Sequence, residues 1–132
     1  AGEHARSITR SLVDATVNKD LAGTRVLLAD NATVRFGKPT NPRLDRDFIL
    51  DRLGRFAEKY TIESSSITSL KAYTESSTRG EVHLACWTTL KEFGYPSPSQ
   101  WVVRVEKQAD GDWRISEVIC VSVGNQVPNG EF

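Results

Sequence analysis

The chain has 132 residues, and its 17 Lys and Arg balance 17 Asp and Glu, so the formal net charge at pH 7 is zero. With 39% hydrophobic and 26% charged residues, it has the composition of a globular domain that builds its own core. That balance removes the basic field that would hold nucleic acid or anionic lipid, no run approaches the ~20 apolar residues of a membrane span, and no long-range repulsion opposes self-association.

Ala5, Ile8, Leu12 and Ala15 recur at steps of three and four, while Arg6, Arg10, Asp14 and Asn18 fall mostly on the other side. This spacing predicts an amphipathic first helix of about four turns. Asp20 fits as N-cap of a short second helix carrying Leu21, Val26 and Leu28, which is read as ending at Asp30-Asn31. Asn tolerates the left-handed backbone common at helix ends, and Thr33, Val34 and Phe36 suit a pleated surface, so a first strand is expected from about Ala32 to Phe36.

Gly37-Lys38-Pro39-Thr40-Asn41-Pro42 reads as loop, since each proline disfavours helix for the residue before it. Asp45 and Asp47 then favour a helix start, and Ile49, Leu53, Phe56 and Tyr60 give the clearest helical period in the chain. From Ile62 the period becomes two. Ile62 to about Thr74 is a long polar strand whose apolar residues do not keep one parity, which predicts a bulge. Val82, Leu84, Cys86, Thr88 and Leu90 share one face of the next strand, with His83, Ala85 and Trp87 on the other.

Trp101, Val103 and Val105 mark a further strand, and Asp110-Gly111 is a hairpin signal. Trp113 to Val123 is the last strand and reads as apolar on both faces: Trp113, Ile115, Ile119 and Val121 oppose Val118 and Cys120. Such a strand needs cover on both sides. Helices supply one cover, so a second subunit on the outer sheet face is expected to supply the other. Residues 1–123 are read as one domain and residues 124–132 as a frayed tail. Cys86 and Cys120 lie in apolar runs without Cys-x-x-Cys spacing, so buried free thiols are expected. The opening Ala1-Gly2-Glu3-His4 has neither Met nor an apolar leader, which fits a mature form or a piece of a longer chain and leaves a cytoplasmic and an exported location both open.

Three segments carry a resemblance: Asn18-Lys19-Asp20-Leu21 after helix one, Leu28-Ala29-Asp30-Asn31-Ala32-Thr33-Val34, and Asp110-Gly111-Asp112-Trp113-Arg114-Ile115. With the order helix, helix, strand, helix and four antiparallel strands, the chain resembles the nuclear-transport-factor-2-like superfamily from about Ala5 to Val123. That superfamily includes ketosteroid isomerases, scytalone dehydratase and SnoaL-like polyketide cyclases. The resemblance implies an α+β cone, three helices packed on a strongly curved, mainly antiparallel sheet that encloses a pocket. It marks the scaffold and not one reaction.

The positions that carry isomerase chemistry in the family fall here on Phe36, Leu12 and Trp101, and the scytalone dehydratase aspartate on about Val17. None of these side chains is a useful acid or base. The remaining ionisable candidates are His83, poised near neutral pH, Glu117, which interrupts the apolar face of the last strand, and Asp14 on helix one. Each has a plain structural alternative: a hydrogen-bonded or solvated histidine, a strand-edge glutamate or one paired across a dimer interface with Arg104 or Arg114, and a solvated helix face. Leu12, Phe36, Phe56, Tyr60, Trp87 and Trp101 are the candidate lining for a small apolar or aromatic ligand, and equally plain core.

Two histidines do not make a histidine-rich metal site, and no phosphate loop is present, so no metal and no cofactor is expected. The expected function is a homodimeric cavity domain that binds a small, mostly apolar molecule. The alternatives are a lyase or isomerase doing proton-transfer chemistry without metal or nucleotide, and a dimerisation or interaction domain of a larger protein. Nucleic acid and membrane are not expected as partners.

Overall fold

Asp20 and Asp45 set two helix starts, each in the way its side chain allows. Asp20 Oδ1 accepts from Gly23 N at 2.8 Å and Asp45 Oδ1 from Phe48 N at 2.8 Å, satisfying backbone donors that the first turn leaves free. In the computed structural model, which describes residues 1–128, the elements run α1 (Gly2–Val17), α2 (Leu21–Leu27), β1 (Leu28–Phe36), β2 (Arg43–Asp45), α3 (Arg46–Lys59), β3 (Ile62–Ser76), β4 (Arg79–Leu90), β5 (Pro96–Lys107) and β6 (Trp113–Val123). They form one six-stranded sheet in the order β2-β1-β6-β5-β4-β3, antiparallel throughout except for the parallel pair β1–β6. The sheet is curved and does not close, and the three helices pack on one side of it, with α1 across β3, β4 and β5.

The second helix does not reach Asp30-Asn31. It is capped at Leu28 in extended conformation, and β1 begins there, four residues before the expected start. Pairing of Leu28 with Ile115 of β6 and burial of Leu28 and Ala29 favour strand over another helical turn. The left-handed residue of this region is instead Lys19 (φ 56), between α1 and α2. The short β2, directly after the proline loop, is not among the expected elements; it pairs with β1 through Thr33, Val34 and Arg35.

The side of the sheet beneath the helices, the inner face, carries the core. Ala32 and Val34 of β1, Ile115, Val118 and Cys120 of β6, Val103 and Val105 of β5, and Val82, Leu84 and Cys86 of β4 are all buried. Ala5 and Thr9 of α1 are buried above them. Gly80 lets α1 approach this closely, because a Cβ there would stand 3.1 Å from that of Ala5 and 2.8 Å from the Ala1 carbonyl oxygen. His4 stacks on Trp113 at 4.6 Å and 8°, fixing the start of α1 over β6.

Cys86 and Cys120 are free and buried. They lie on β4 and β6 with β5 between them and are offset along it, Cys86 opposite Ser99 and Cys120 opposite Trp101, so two strand spacings of about 9–10 Å are a lower bound on their separation, too far for a disulfide. Burial raises the pKa of both thiols, that of Cys120 to about 12.

The last strand is not apolar in the way its parity suggests. Its register slips by one residue at Ser116, where Arg104 pairs with Glu117 but Val105 with Ile115, and again at Val121. The slip turns Ile119 and Val121 to the opposite face from Ile115, so Glu117, Ile119 and Val121 look outward while Ile115, Val118 and Cys120 look inward. Of the expected tail, residues 129–132 lie outside the described residues. Residues 123–126 close a turn through Val123 N to Gln126 O at 2.9 Å and the return bond at 3.1 Å. The Pro128 carbonyl rests against Gly37 (φ 82), where a Cβ would collide with it. No helix among the described residues is long and apolar enough to cross a membrane.

Candidate functional site

Two surfaces qualify as sites, one on each side of the sheet. The inner one is a pocket among Ala15 and Thr16 of α1, Leu21 and Thr24 of α2, and Leu53, Phe56 and Ala57 of α3, reaching Tyr60 and Ile62. Its volume is about 20 Å³, which accommodates one water molecule. Elsewhere on the inner face half-buried side chains such as Leu12, Phe36, Ile67 and Trp101 pack against the buried core. Phe36 and Trp101 meet edge to face at 6.4 Å and 74°, and the Trp101 indole N–H already donates to Ser99 Oγ at 2.9 Å. Leu12 packs on the same core. The inward strand positions named above carry no carboxylate and no imidazole.

The outer face is built differently. Alternation along β4 turns Glu81, His83, Ala85 and Trp87 outward, and pairing places Glu81 beside Arg104 and His83 beside Val102 of β5. Glu117 of β6 completes a chain of charges. Arg104 donates from Nε to Glu81 Oε1 at 2.9 Å and from Nη1 to Glu117 Oε1 at 2.6 Å. Glu81 Oε2 lies 2.9 Å from His83 Nε2. The second Glu117 oxygen receives Arg43 Nε at 3.1 Å and Thr33 Oγ1 at 3.5 Å.

Glu117 keeps only 9% of its side chain exposed because three partners surround it, and a carboxylate so buried needs them. Burial pushes the Glu81 carboxyl up, but bonds and charge from Arg104 and His83 outweigh it and hold it below the ordinary carboxylate value. Arg104 is held above the usual guanidinium value, first by its bond to Glu81. A shallow depression of about 330 Å³ lies beside this chain, walled by Arg35, Lys38, Glu81, His83, Arg104, Val102, Ile119, Val121 and Val127.

No family model matches the sequence, and no curated protein matches it. Solved structures do. An NTF2-like protein of unknown function from Pseudomonas putida KT2440 superposes with a TM-score of 0.76 at 10% identity, covering 92% of this chain and 85% of that one. A ketosteroid isomerase-like protein from Erwinia carotovora atroseptica gives 0.72 at 16% identity, over 91% of this chain and 94% of its own. An NTF2-like protein from Cytophaga hutchinsonii gives 0.71 at 14% identity, over 88% and 93%. The chain has the nuclear-transport-factor-2-like fold. At these identities the likeness concerns architecture, and chemistry has to be argued from this chain's own residues.

Within the nuclear-transport-factor-2-like fold the expected site residues divide among three places. Leu12, Phe36 and Trp101 are on the inner face, and Phe56 and Tyr60 line the small pocket. Trp87 parts from them: it is outward on β4 and 44% exposed, so it lines no cone interior. His83 and Glu117 are outward and linked through Glu81 and Arg104, while Asp14 is exposed on α1, the helix that covers the inner face. These three cannot act on one substrate. The glutamate partner expected as Arg104 or Arg114 is Arg104, within the same chain; Arg114 pairs with Asp110 and Asp112. Glu81 and Arg43 escaped the sequence reading. The i, i+2 pair Glu81–His83 was the available signal, because those two side chains must share a strand face.

Proposed function

We propose that the protein is a homodimeric binding domain whose working surface is the outer sheet face and whose partner there is a second copy of itself. The observation that carries this reading is the composition of that face. Tyr73, Trp87 and Val121 are exposed on it, Val102 and Ile119 lie between them, and the central charges are already paired within one chain. Exposed aromatic and aliphatic side chains gain from burial, and charges that bring their own partners cost less to desolvate. A formal net charge of zero lets two copies approach. Tyr and Trp are also the side chains that anchor interfaces.

For the small, mostly apolar ligand expected inside the cone, the pocket between α1, α2 and α3 has a volume of about 20 Å³, so entry there requires α2 and α3 to move apart. A SnoaL-like proton transfer finds less support, because His83 and Glu117 are tied into ion pairs on the outer face and Asp14 lies on the helix side of the sheet.

Sedimentation equilibrium tests the dimer. The expected result is a mass twice the protomer's 14.7 kDa at micromolar concentration, falling toward one protomer in Trp87→Glu and Val121→Glu. Both positions are exposed, so neither substitution disturbs the core. A monomer at all concentrations, or a dimer that both substitutions leave intact, rejects the reading.

A further inference from the structure

Of the two histidines in the chain, His4 stacks on Trp113 at the start of α1, while His83 stands on the outer face. An imidazole gains its proton between about pH 8 and 5, where carboxylates and guanidinium groups keep their charges. Strand pairing fixes what faces His83. Lys71 of β3 is opposite it on one side and Val102 of β5 on the other. The Tyr73 ring of β3 lies 4.9 Å from the imidazole. Glu81, two residues back on β4, meets Nε2 at 2.9 Å, and its other oxygen accepts from Arg104 of β5. Arg35 of β1 and Lys38 beyond it wall the same depression. On β6, Glu117 is matched by Arg104 and Arg43. With His83 neutral, the two carboxylates of this cluster face two guanidinium groups and cancel. A proton on His83 leaves a surplus of one positive charge.

On an isolated protomer that surplus costs little, because the His83 side chain is 52% exposed and water screens it. A second copy laid on the face removes the water and brings an equal surplus of its own. Each imidazolium would then be enclosed with Lys71, Arg104, Arg35 and Lys38, and with one carboxylate that Arg104 already shares. We infer that the outer-face dimer is a proton-operated switch, closed while His83 is neutral and released when the imidazoles of both copies take up protons. The closed state keeps the contact with Glu81, since a neutral ring protonated at Nε2 still donates to the carboxylate. The sign follows from linkage. The separated protomers bind more protons than the dimer, so association strengthens as pH rises through the imidazole range and weakens as it falls. Glu81 stays ionised across that range, because Arg104 and His83 hold its carboxyl below the ordinary value.

The inference rests on the outer face being the dimer surface. Sedimentation equilibrium at fixed ionic strength, at pH 7.5 and pH 5.5, tests it on the parent, His83→Gln, His83→Lys and His4→Gln. The parental dissociation constant is expected to be larger at pH 5.5 by about tenfold or more. His83→Gln gives one constant at both pH values, and His4→Gln keeps the parental change. His83→Lys, charged throughout, dimerises weakly at pH 7.5 as well. His83 is exposed, so its variants keep the parental urea midpoint in the monomer. A dimer whose constant ignores pH, or a pH response that survives His83→Gln, overturns the switch and leaves the dimer standing. A monomer at both pH values, or a dimer indifferent to Trp87→Glu and Val121→Glu, overturns both.

Discussion

The two faces of one sheet hold their residues by different physics. On the inner face, hydrocarbon alternates inward along β1, β4, β5 and β6, and the helices press it dry; the polar group buried there, Thr9 Oγ1, has no partner among the described residues. On the outer face the most buried side chain of the charge cluster, Glu117, is held by three partners, Arg104, Arg43 and Thr33. The inner face therefore stabilises by burial of area, which is insensitive to pH and salt, and the outer face by directional pairing, which is sensitive to both. The proposed working surface is the second, whose exposed Tyr73, Trp87 and Val121 are open to a partner.

The largest contrast should appear on truncating an inward isoleucine against an outward one. Ile115→Ala, at a fully buried inner position, is expected to cost about 2–5 kcal/mol in urea unfolding. Ile119→Ala on the outer face should cost less in the monomer, since Ile119 lies outside the main core cluster. Equal losses would erase the distinction between the faces.

Arg104→Leu should rank next. It strips one partner from each of two glutamates, and at hydrogen bonds to charged groups the loss is about 1–2 kcal/mol after solvent screening of a side chain that is 44% exposed. Adding Glu81→Gln and Glu117→Gln to Arg104→Leu should recover part of that loss, as a double-mutant analysis of the unfolding midpoints would reveal.

How much of this was legible beforehand differs between the faces in the same way. The helices, the capping role of Asp20 and the parity of β4 were readable, because period and capping are local. Ile119 and Val121 were misassigned for a physical reason: the slip at Ser116 depends on which carbonyl of β5 is available, and Ser116 Oγ donates to Arg104 O at 3.3 Å. A one-residue slip inverts every later side chain, and a parity count cannot see it. Glu117 accordingly looked like a break in an apolar face when it belongs to the polar one. The chain of charges needed the pairing of β4 with β5 and β5 with β6, which no local pattern encodes.

A smaller effect separates the faces by pH. The Glu81 carboxyl titrates below its unfolded value, so its share of stability is fully present above the ordinary value of 4.5 and is lost as pH falls through the lower, folded value. Acid unfolding should thus be less steep over that range in Glu81→Gln than in the parent, whereas Ile115→Ala should keep the parental slope. Parallel acid profiles for Glu81→Gln and the parent would show that the carboxyl contributes nothing through its shift.

The smallest effects are expected where neither face is involved. Asp14→Asn, exposed on α1, should change stability by no more than about 0.5 kcal/mol and leave sedimentation unaltered. In the native state at pH 8, the Cys86 and Cys120 thiols should resist a thiol-specific reagent, since burial keeps both protonated and out of reach; rapid labelling would show an inner face that opens.

The assignment of work to the outer face is tested most directly by isotope-filtered nuclear Overhauser spectra on a mixture of labelled and unlabelled copies. Contacts between copies should appear at the methyls of Val102, Ile119 and Val121 and at the rings of Trp87 and Tyr73. Contacts between copies arising from the helices while those five side chains stay silent, or none at all, would contradict it.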